Sequence, residues 1–286
     1  MLGYNNYAEL YVLARRTLLD ALDALGDHRK AVVLVGAQAI YLHTGESSDI
    51  AVSPYTTDAD LALNPSILEP TPDLKELLRA ANFSPKLNAV GIWEKRQEVA
   101  GEGNSPMVLT VDFLVPQAMG GRKGRGADLT EQKQGKDVAR QAHGLEATFV
   151  DQSQMDIEAL EDGDKRRYQI AVAGPAALLV AKVHKIGERL GKPGRQKPKD
   201  ALDCFRLLQA TETSQLAQTF KRLLTNDLSK KVTGDALKLL DTLFSTADSE
   251  GLRQVVEAIG PLDDPKTIAA SCAALTQDLL RAVGQV

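Results

Sequence analysis

Cysteine is scarce in this chain, and its sequence has no long apolar run. The 2 cysteines among 286 residues, Cys204 and Cys272, are far apart and suit neither a disulfide framework nor a zinc site. No apolar run approaches the ~20 residues that a membrane-spanning helix requires, and no charged-then-apolar leader opens the chain. We therefore expect a soluble, cytoplasmic protein in a reducing compartment, with no membrane partner.

The sequence also lacks a large excess of one charge. A formal net charge of −4 at pH 7 gives no whole-chain signature of nucleic-acid binding. Positive charge is concentrated locally, because seven Lys or Arg and one Glu lie between Lys182 and Lys199, and Arg122, Lys123 and Arg125 form a second cluster. Such clusters either attract phosphates or are ordinary solvated loops.

Hydrophobic residues make up 43% of the chain, which is enough for a sizeable core. Periodicity and turn residues predict an α+β fold with a mixed-sheet domain at 1–173 and an all-helical bundle at 174–286, divided near Gly174. The predicted strands are 31–35, 56–63, 90–99, 107–115, 145–150 and 168–172. The predicted helices are 7–26, 37–43, 72–83, 176–190, 199–210, 214–228, 233–247, 250–259 and 265–283. Residues 44–55 and 117–144 are predicted loops, and Gly101 to Pro106 joins a hairpin.

Three aspartates in two strand-like runs carry the strongest chemical signal. Asp58 and Asp60 are separated by one residue, so on a strand both carboxylates lie on one face, with Ala59 and Leu61 on the other. Like charges this close repel unless a cation neutralises them. Asp112 lies in a second apolar run, and a third carboxylate on a neighbouring strand would complete a two-metal site for phosphoryl or nucleotidyl transfer.

A glycine turn precedes the aspartates. Gly36 follows an apolar strand and opens a predicted helix, so backbone amides at this turn can approach a ligand closely. The N-terminus of a helix offers free N–H groups and a partial positive charge that suit a triphosphate. A strand–Gly–helix turn is also a common structural feature, so only the aspartates give it a functional interpretation.

These segments together resemble the DNA polymerase β-type nucleotidyltransferase superfamily. The resemblance is carried by Val-Gly-Ala-Gln-Ala-Ile-Tyr-Leu-His (35–43), Thr-Thr-Asp-Ala-Asp-Leu (56–61) and Val-Asp-Phe-Leu (111–114). Within that superfamily the chain is most similar to the AbiEii-like toxins of toxin–antitoxin and phage-defence systems, including the MenT group. Those proteins carry a helical second domain, whose motifs match Leu178 to Lys182 and Lys199-Asp200-Ala201-Leu202-Asp203. The resemblance covers residues 31–210.

The resemblance implies a role for each matched residue. Asp58 and Asp60 would hold Mg²⁺ or Mn²⁺, and Asp112 would be the third ligand or the base that activates an attacking hydroxyl. Lys182 would neutralise the triphosphate of an NTP, and Asp200 or Asp203 would orient Lys182 or contact the substrate. The predicted nucleotide-binding set is Gly36, Ala37, Gln38, Thr57, Lys182, Lys185 and Arg189.

The basic residues of the predicted helix 176–190 have a physical reason to bind an anion. Lys182, Lys185 and Arg189 share one helix face, where they repel each other unless an anionic partner or solvent relieves the repulsion. The chain departs from the family pattern in two places. Ala37 replaces the usual hydroxyl after the turn glycine, and a longer interval implies an inserted loop at 44–54.

The expected activity is metal-dependent transfer of NMP from an NTP to an acceptor hydroxyl. The resemblance implies the 3′ end of tRNA as acceptor and a cognate antitoxin as partner. A small-molecule acceptor, as in antibiotic-modifying enzymes, is the second interpretation. A catalytically lapsed nucleotidyltransferase fold that acts by protein binding is the third, and Ala37 is the residue that favours it.

Overall fold

The computed structural model describes residues 4–45, 55–98, 105–121, 124–192, 194–246 and 248–285, with side chains described from residue 9 onward. Its helices are α1 Tyr4–Leu25, α2 Gly36–Thr44, α3 Leu74–Ala80, α4 Pro175–Gly187, α5 Pro198–Ala210, α6 Thr213–Thr225, α7 Lys230–Phe244, α8 Glu250–Ile259 and α9 Pro265–Val283. Its strands are β1 Val32–Val35, β2 Asp58–Leu63, β3 Ser84–Pro85, β4 Ile92–Gln97, β5 Met107–Pro116, β6 Arg140–Ala142, β7 Gln152–Glu158 and β8 Arg167–Ala173.

In the described residues, eight strands form one mixed sheet in the order β3-β4-β5-β2-β1-β8-β7, with β6 paired to β5. The strand β2 is antiparallel to β1 and parallel to β5. All four residues of β1 are buried, as expected for an apolar, β-branched strand in the middle of a sheet. Val35 at the end of β1 pairs with Asp60, so the turn at Gly36 begins beside the acidic segment.

The helices after β8 pack on one another through their apolar faces. The helix α5 contacts α4 and α8, α6 contacts α9, and α4 contacts α7. The predicted limits of the last helix, 265–283, are confirmed, and residues at both of its ends explain them. The carboxylate of Asp264 caps its N-terminus by accepting from the Thr267 N–H at 2.9 Å, and Gly284 adopts the left-handed conformation after its end. The predicted α+β fold class is confirmed.

The structure differs from the sequence prediction in several local segments. The sequence pattern predicts a strand at 145–150. This prediction is wrong, since the segment contains a 3-10 helix at Glu146–Phe149, because a short apolar run suits either geometry. The following strand β7 was not predicted. It lies at an end of the sheet with mostly exposed side chains, so its sequence carries no apolar run.

The predicted loop 117–144 contains the strand β6, which pairs in parallel with the end of β5. The predicted helix at 72–83 is shorter, because Asp73 caps it and α3 begins at Leu74. Some predictions fall outside the described residues: most of the inserted loop at 44–54, the join at Gly101 to Asn104, and the basic residues Arg122 and Lys123.

Backbone contacts divide the chain into two compact units. The first unit is Met1–Gln38, Pro54–Ala142 and Ser153–Val172, and the second is Ala39–Ser53, His143–Gln152 and Ala173–Val286. The second unit therefore combines the chain from Ala173 onward with two earlier segments. The division into domains at 1–173 and 174–286 stays a prediction. None of the described helices has the length and apolar character needed to cross a membrane.

Candidate active site

The three aspartates occupy neighbouring positions on two paired strands of the first unit. Asp58 and Asp60 lie on β2, and Asp112 lies on β5. The parallel register pairs Asp60 directly with Asp112 and Asp58 with Thr110. Because alternate residues of a strand share a face and paired residues share it across strands, all three positions belong to one face of the sheet. On the opposite face, Ala59 and Leu61 are buried.

The turn at Gly36 lies against this acidic face. Gly36 has a φ of +72°, a left-handed conformation that costs little only for glycine. A Cβ added there would overlap the carboxylate of Asp60, so the missing side chain lets Asp60 lie against the turn. The helix α2 begins at Gly36, and Ala37 contributes a buried methyl group to it. The first N–H groups of a helix have no partner within it, so they can donate to an anion.

Thr56 contacts Asp58, whereas the sequence predicts Thr57 as part of the nucleotide-binding set. The buried hydroxyl of Thr56 donates a hydrogen bond to Oδ1 of Asp58. Thr57 is exposed, and its carbonyl oxygen accepts from the Thr110 N–H at 3.4 Å. The sequence held a signal for this contact, because Ser and Thr hydroxyls often bond to groups two residues away.

Gln38 is buried, and its side chain bonds to other parts of the first unit. Its Nε2 donates to the carbonyl oxygens of Ala14 and Asp58, each at 3.2 Å. Its Oε1 accepts from Nε of Arg15 at 2.9 Å, and Arg15 is also buried. Gln38 thus holds the backbone at the start of β2 against α1. A contact from Gln38 to a nucleotide would therefore come from its backbone N–H.

Arg140 contacts Asp112, and nothing in the sequence pattern predicts this contact. Its Nη2 lies 2.7 Å from Oδ2 of Asp112, and the two side chains are 34% and 10% exposed. A guanidinium remains charged at all ordinary pH values, so this is a charge-assisted hydrogen bond. Arg140 lies within a Gly-, Lys- and Gln-rich segment whose composition predicts a loop. The pairing of β6 with β5 brings it to Asp112.

The donor set fits a hard divalent cation in chemistry, because three carboxylates share one face. The absence of a side chain at Gly36 also leaves room for the carboxylate of Asp60 on this face. The side chains as they stand are not gathered into a complete ligand set. Within the parts of the chain that the structure describes, no three His, Cys, Asp or Glu side chains form a group that could hold a metal ion.

The second unit contains a buried cluster of opposite charges around Lys182. Its Nζ lies 2.8 Å from Oδ1 of Asp200 and 2.7 Å from Oδ2 of Asp203, and all three side chains are buried. Asp200 also pairs with Nη1 of Arg189 at 2.5 Å and with Nζ of Lys185 at 3.4 Å. The repulsion expected along the predicted helix 176–190 is therefore relieved by Asp200 of α5. The helix α4 itself ends at Gly187, so Arg189 lies just beyond it.

Burial and attraction act in opposite directions on the pKa values of this cluster. Burial by itself would lower the pKa of Lys182, but attraction to Asp203 and Asp200 outweighs it and raises this pKa well above its ordinary value. Burial would likewise raise the pKa of Asp200, but the cations around it hold that pKa well below its ordinary value. Both groups therefore carry their full charges at neutral pH.

The sequence of the chain shows the family to which it belongs. The sequence profile of a family described as nucleotidyltransferase matches residues 15–232, which is more than half of the 286 residues. The chain belongs to this nucleotidyltransferase family. Residues 15–232 of this nucleotidyltransferase include every predicted site residue, from Gly36 to Asp203.

One solved structure that resembles this nucleotidyltransferase is the crystal structure of an antigenic nucleotidyltransferase-like protein from Paracoccidioides brasiliensis. The two chains are 14% identical and align with a TM-score of 0.40 over 81% of this chain and 93% of the other. No curated protein sequence matches the chain significantly.

Proposed function

We propose that this nucleotidyltransferase is an AbiEii-like enzyme of the MenT type. It would transfer NMP from an NTP to the 3′ end of tRNA with the help of Mg²⁺ or Mn²⁺, as the toxin of a toxin–antitoxin or phage-defence system. The observation that carries the proposal is the register of β2 and β5, which pairs Asp60 with Asp112 beside Asp58. The toxin role, the tRNA acceptor and the antitoxin partner rest on the sequence resemblance.

Asp58, Asp60 and Asp112 would hold the divalent cations. When bound, these ions supply positive charge that lowers the pKa of the acceptor hydroxyl and stabilises the charge on the transferring phosphate. The first N–H groups of α2 would donate to phosphate oxygens of the NTP. Thr56 and Gly36 would keep the carboxylates of Asp58 and Asp60 in position.

In the transfer itself, the acceptor oxygen would form a bond to the α-phosphorus of the NTP. The bond from that phosphorus to the bridging oxygen would break, and pyrophosphate would leave. The acceptor proton would pass to the Asp112 carboxylate if Asp112 is the base, or to solvent if Asp112 serves only as a ligand. The contribution of Lys182 to the triphosphate stays a prediction from the resemblance.

The direct test uses the full chain with Mg²⁺, each NTP labelled at the α-phosphate, and total tRNA. We expect label on tRNA from one or more NTPs, and none with the Asp58→Asn/Asp60→Asn variant, which keeps the size of both side chains. Asp278→Asn is the matched control, because Asp278 is exposed on α9 and pairs with nearby Arg281. Label that persists in the double variant would remove the assigned ligands from the mechanism.

The alternatives give different outcomes in the same assay. When small hydroxyl compounds are added to the mixture, pyrophosphate release without labelled tRNA would favour a small-molecule acceptor. Absence of Mg²⁺–NTP binding in calorimetry, together with no label, would favour the lapsed fold that acts by protein binding. Ala37, which supplies no hydroxyl at the turn, is the residue that motivates this last test.

A further inference from the structure

Arg140 shares the acidic face of the first unit. It pairs with Leu114 of β5, and Leu114 lies two positions after Asp112 on the same strand. Because residues two apart on a strand share a face, Arg140 belongs to the same face as Asp112, Asp60 and Asp58. The ion pair between Arg140 and Asp112, with 2.7 Å between Nη2 and Oδ2, therefore lies on the face that would hold the cations.

The charge of Arg140 is opposite to that of the carboxylates on this face. Three carboxylates at adjacent positions repel one another, and a guanidinium bonded to one of them lowers that repulsion. The Nε of Arg140 is buried and makes no hydrogen bond with the described residues, so the guanidinium is held chiefly by Asp112. A divalent cation binds carboxylate oxygens, and Oδ2 of Asp112 already accepts a hydrogen bond from this guanidinium.

We propose that Arg140 is a positioning residue that holds Asp112 in the metal-free enzyme and competes with the divalent cation for its carboxylate. Metal binding at Asp58 and Asp60 would then recruit Asp112 only when the ion pair with Arg140 opens. This inference rests on the proposed metal site and goes beyond it, because it assigns a residue that controls when the site is complete. It also accounts for three carboxylates that share a face without forming a ligand group.

The test is Mn²⁺ binding to the full chain without nucleotide, measured by electron paramagnetic resonance of free Mn²⁺. Trp93, the single tryptophan, gives a second readout by fluorescence. Its indole N–H donates to the carbonyl oxygen of Val138 at 3.1 Å, two residues before Arg140, and its strand neighbour Ile92 pairs with Asp112. Opening of the ion pair is therefore expected to change its emission.

We expect Arg140→Gln to bind Mn²⁺ about tenfold more tightly than the natural chain, since about 1.4 kcal/mol of competition is removed. Arg140→Lys keeps the charge but not the planar fork, so its affinity is expected to lie in between. Arg140→Met keeps the alkyl stem and replaces the amide variant if that variant does not fold. The matched control is Arg167→Gln, which removes an arginine paired with Asp156 and Glu158.

The outcomes separate this inference from the proposed function. Equal or weaker Mn²⁺ binding by Arg140→Gln, while the natural chain binds Mn²⁺, overturns the competition and leaves the metal site standing. If Arg140→Gln binds Mn²⁺ and the natural chain does not, the competition is supported in its strongest form. Absence of Mn²⁺ binding by every variant removes the metal site itself, and the inference with it.

Discussion

Gly36 is constrained both by its own backbone conformation and by the neighbouring side chain of Asp60. Its φ of +72° disfavours any side chain, and the carboxylate of Asp60 fills the space that a Cβ would take. These are separate constraints, because the first concerns the residue's own backbone and the second concerns its neighbour. Gly26 has a similar φ of +53° but has no atom within 4 Å of its absent Cβ. The chain therefore provides its own control for the two effects.

We predict that Gly26→Ala loses about 1–2 kcal/mol of stability, the cost of a left-handed conformation for a non-glycine residue. Gly36→Ala is expected to lose at least as much, because its methyl group must also displace Asp60. Only Gly36→Ala is expected to lose nucleotidyl transfer as well, by tenfold or more, because its methyl group displaces Asp60. Urea unfolding and the labelled-NTP assay measure the two effects. Full activity in Gly36→Ala would show that Asp60 does not need its present position.

The pairing of α4 with α5 depends on one buried cation between two carboxylates. Lys182 projects from α4, and Asp200 and Asp203 lie three residues apart on α5. Removing one partner of a buried ion pair leaves an uncompensated charge, which is strongly destabilising. Asp200 has other cationic partners, Arg189 and Lys185, whereas Lys182 is the only cation that the structure pairs with Asp203 in the described residues.

We predict that Lys182→Met destabilises the protein by about 3–5 kcal/mol in urea unfolding followed by circular dichroism. Adding Asp203→Asn is expected to recover most of this loss, because Arg189 still neutralises Asp200. Lys231→Met, which breaks an exposed pair with Asp235, serves as control and is expected to cost less than about 1 kcal/mol. A loss below 1 kcal/mol for Lys182→Met would mean that the cluster contributes little to folding.

The whole molecule is weakly acidic, with a net charge of −4 and a pI of about 5.7, so RNA binding would need a local basic surface. The structure changes which residues are suited to this task. Lys182, Lys185 and Arg189 face Asp200, whereas Lys192, Arg195 and Lys197 are exposed in the connection between α4 and α5. An RNA backbone would therefore meet the connection rather than the helix face.

We predict that tRNA affinity falls about tenfold to twentyfold between 50 and 200 mM KCl, as expected for about three phosphate contacts to a single-stranded end. Replacing Lys192, Arg195 and Lys197 with Gln is expected to flatten this dependence in filter-binding assays. Lys230→Gln/Lys231→Gln/Lys238→Gln on α7 removes the same charge and is the matched control. A salt-independent affinity in the natural chain would instead favour a small-molecule acceptor.

Particular residues show how far sequence patterns reach in this protein. The run Val32–Val35 and the helices after Gly174 are confirmed, because a period of two or 3.6 residues is a local property. The same local rule places Asp58 and Asp60 on one face. Arg140 could not be predicted, since its segment resembles a loop until β5 supplies a strand to pair with. The strand β7 was missed because its side chains are mostly exposed.

The sequence by itself therefore determined the α+β class, the acidic pair on β2, the glycine turn before it and the family to which the chain belongs. Only the tertiary structure decided that Asp112 pairs with Asp60, that Arg140 binds Asp112, and that Asp200 and Asp203 enclose Lys182. The physical reason is distance along the chain. Periodicity sets the direction of a side chain from its near neighbours, whereas a partner many residues away is chosen by strand register and helix packing.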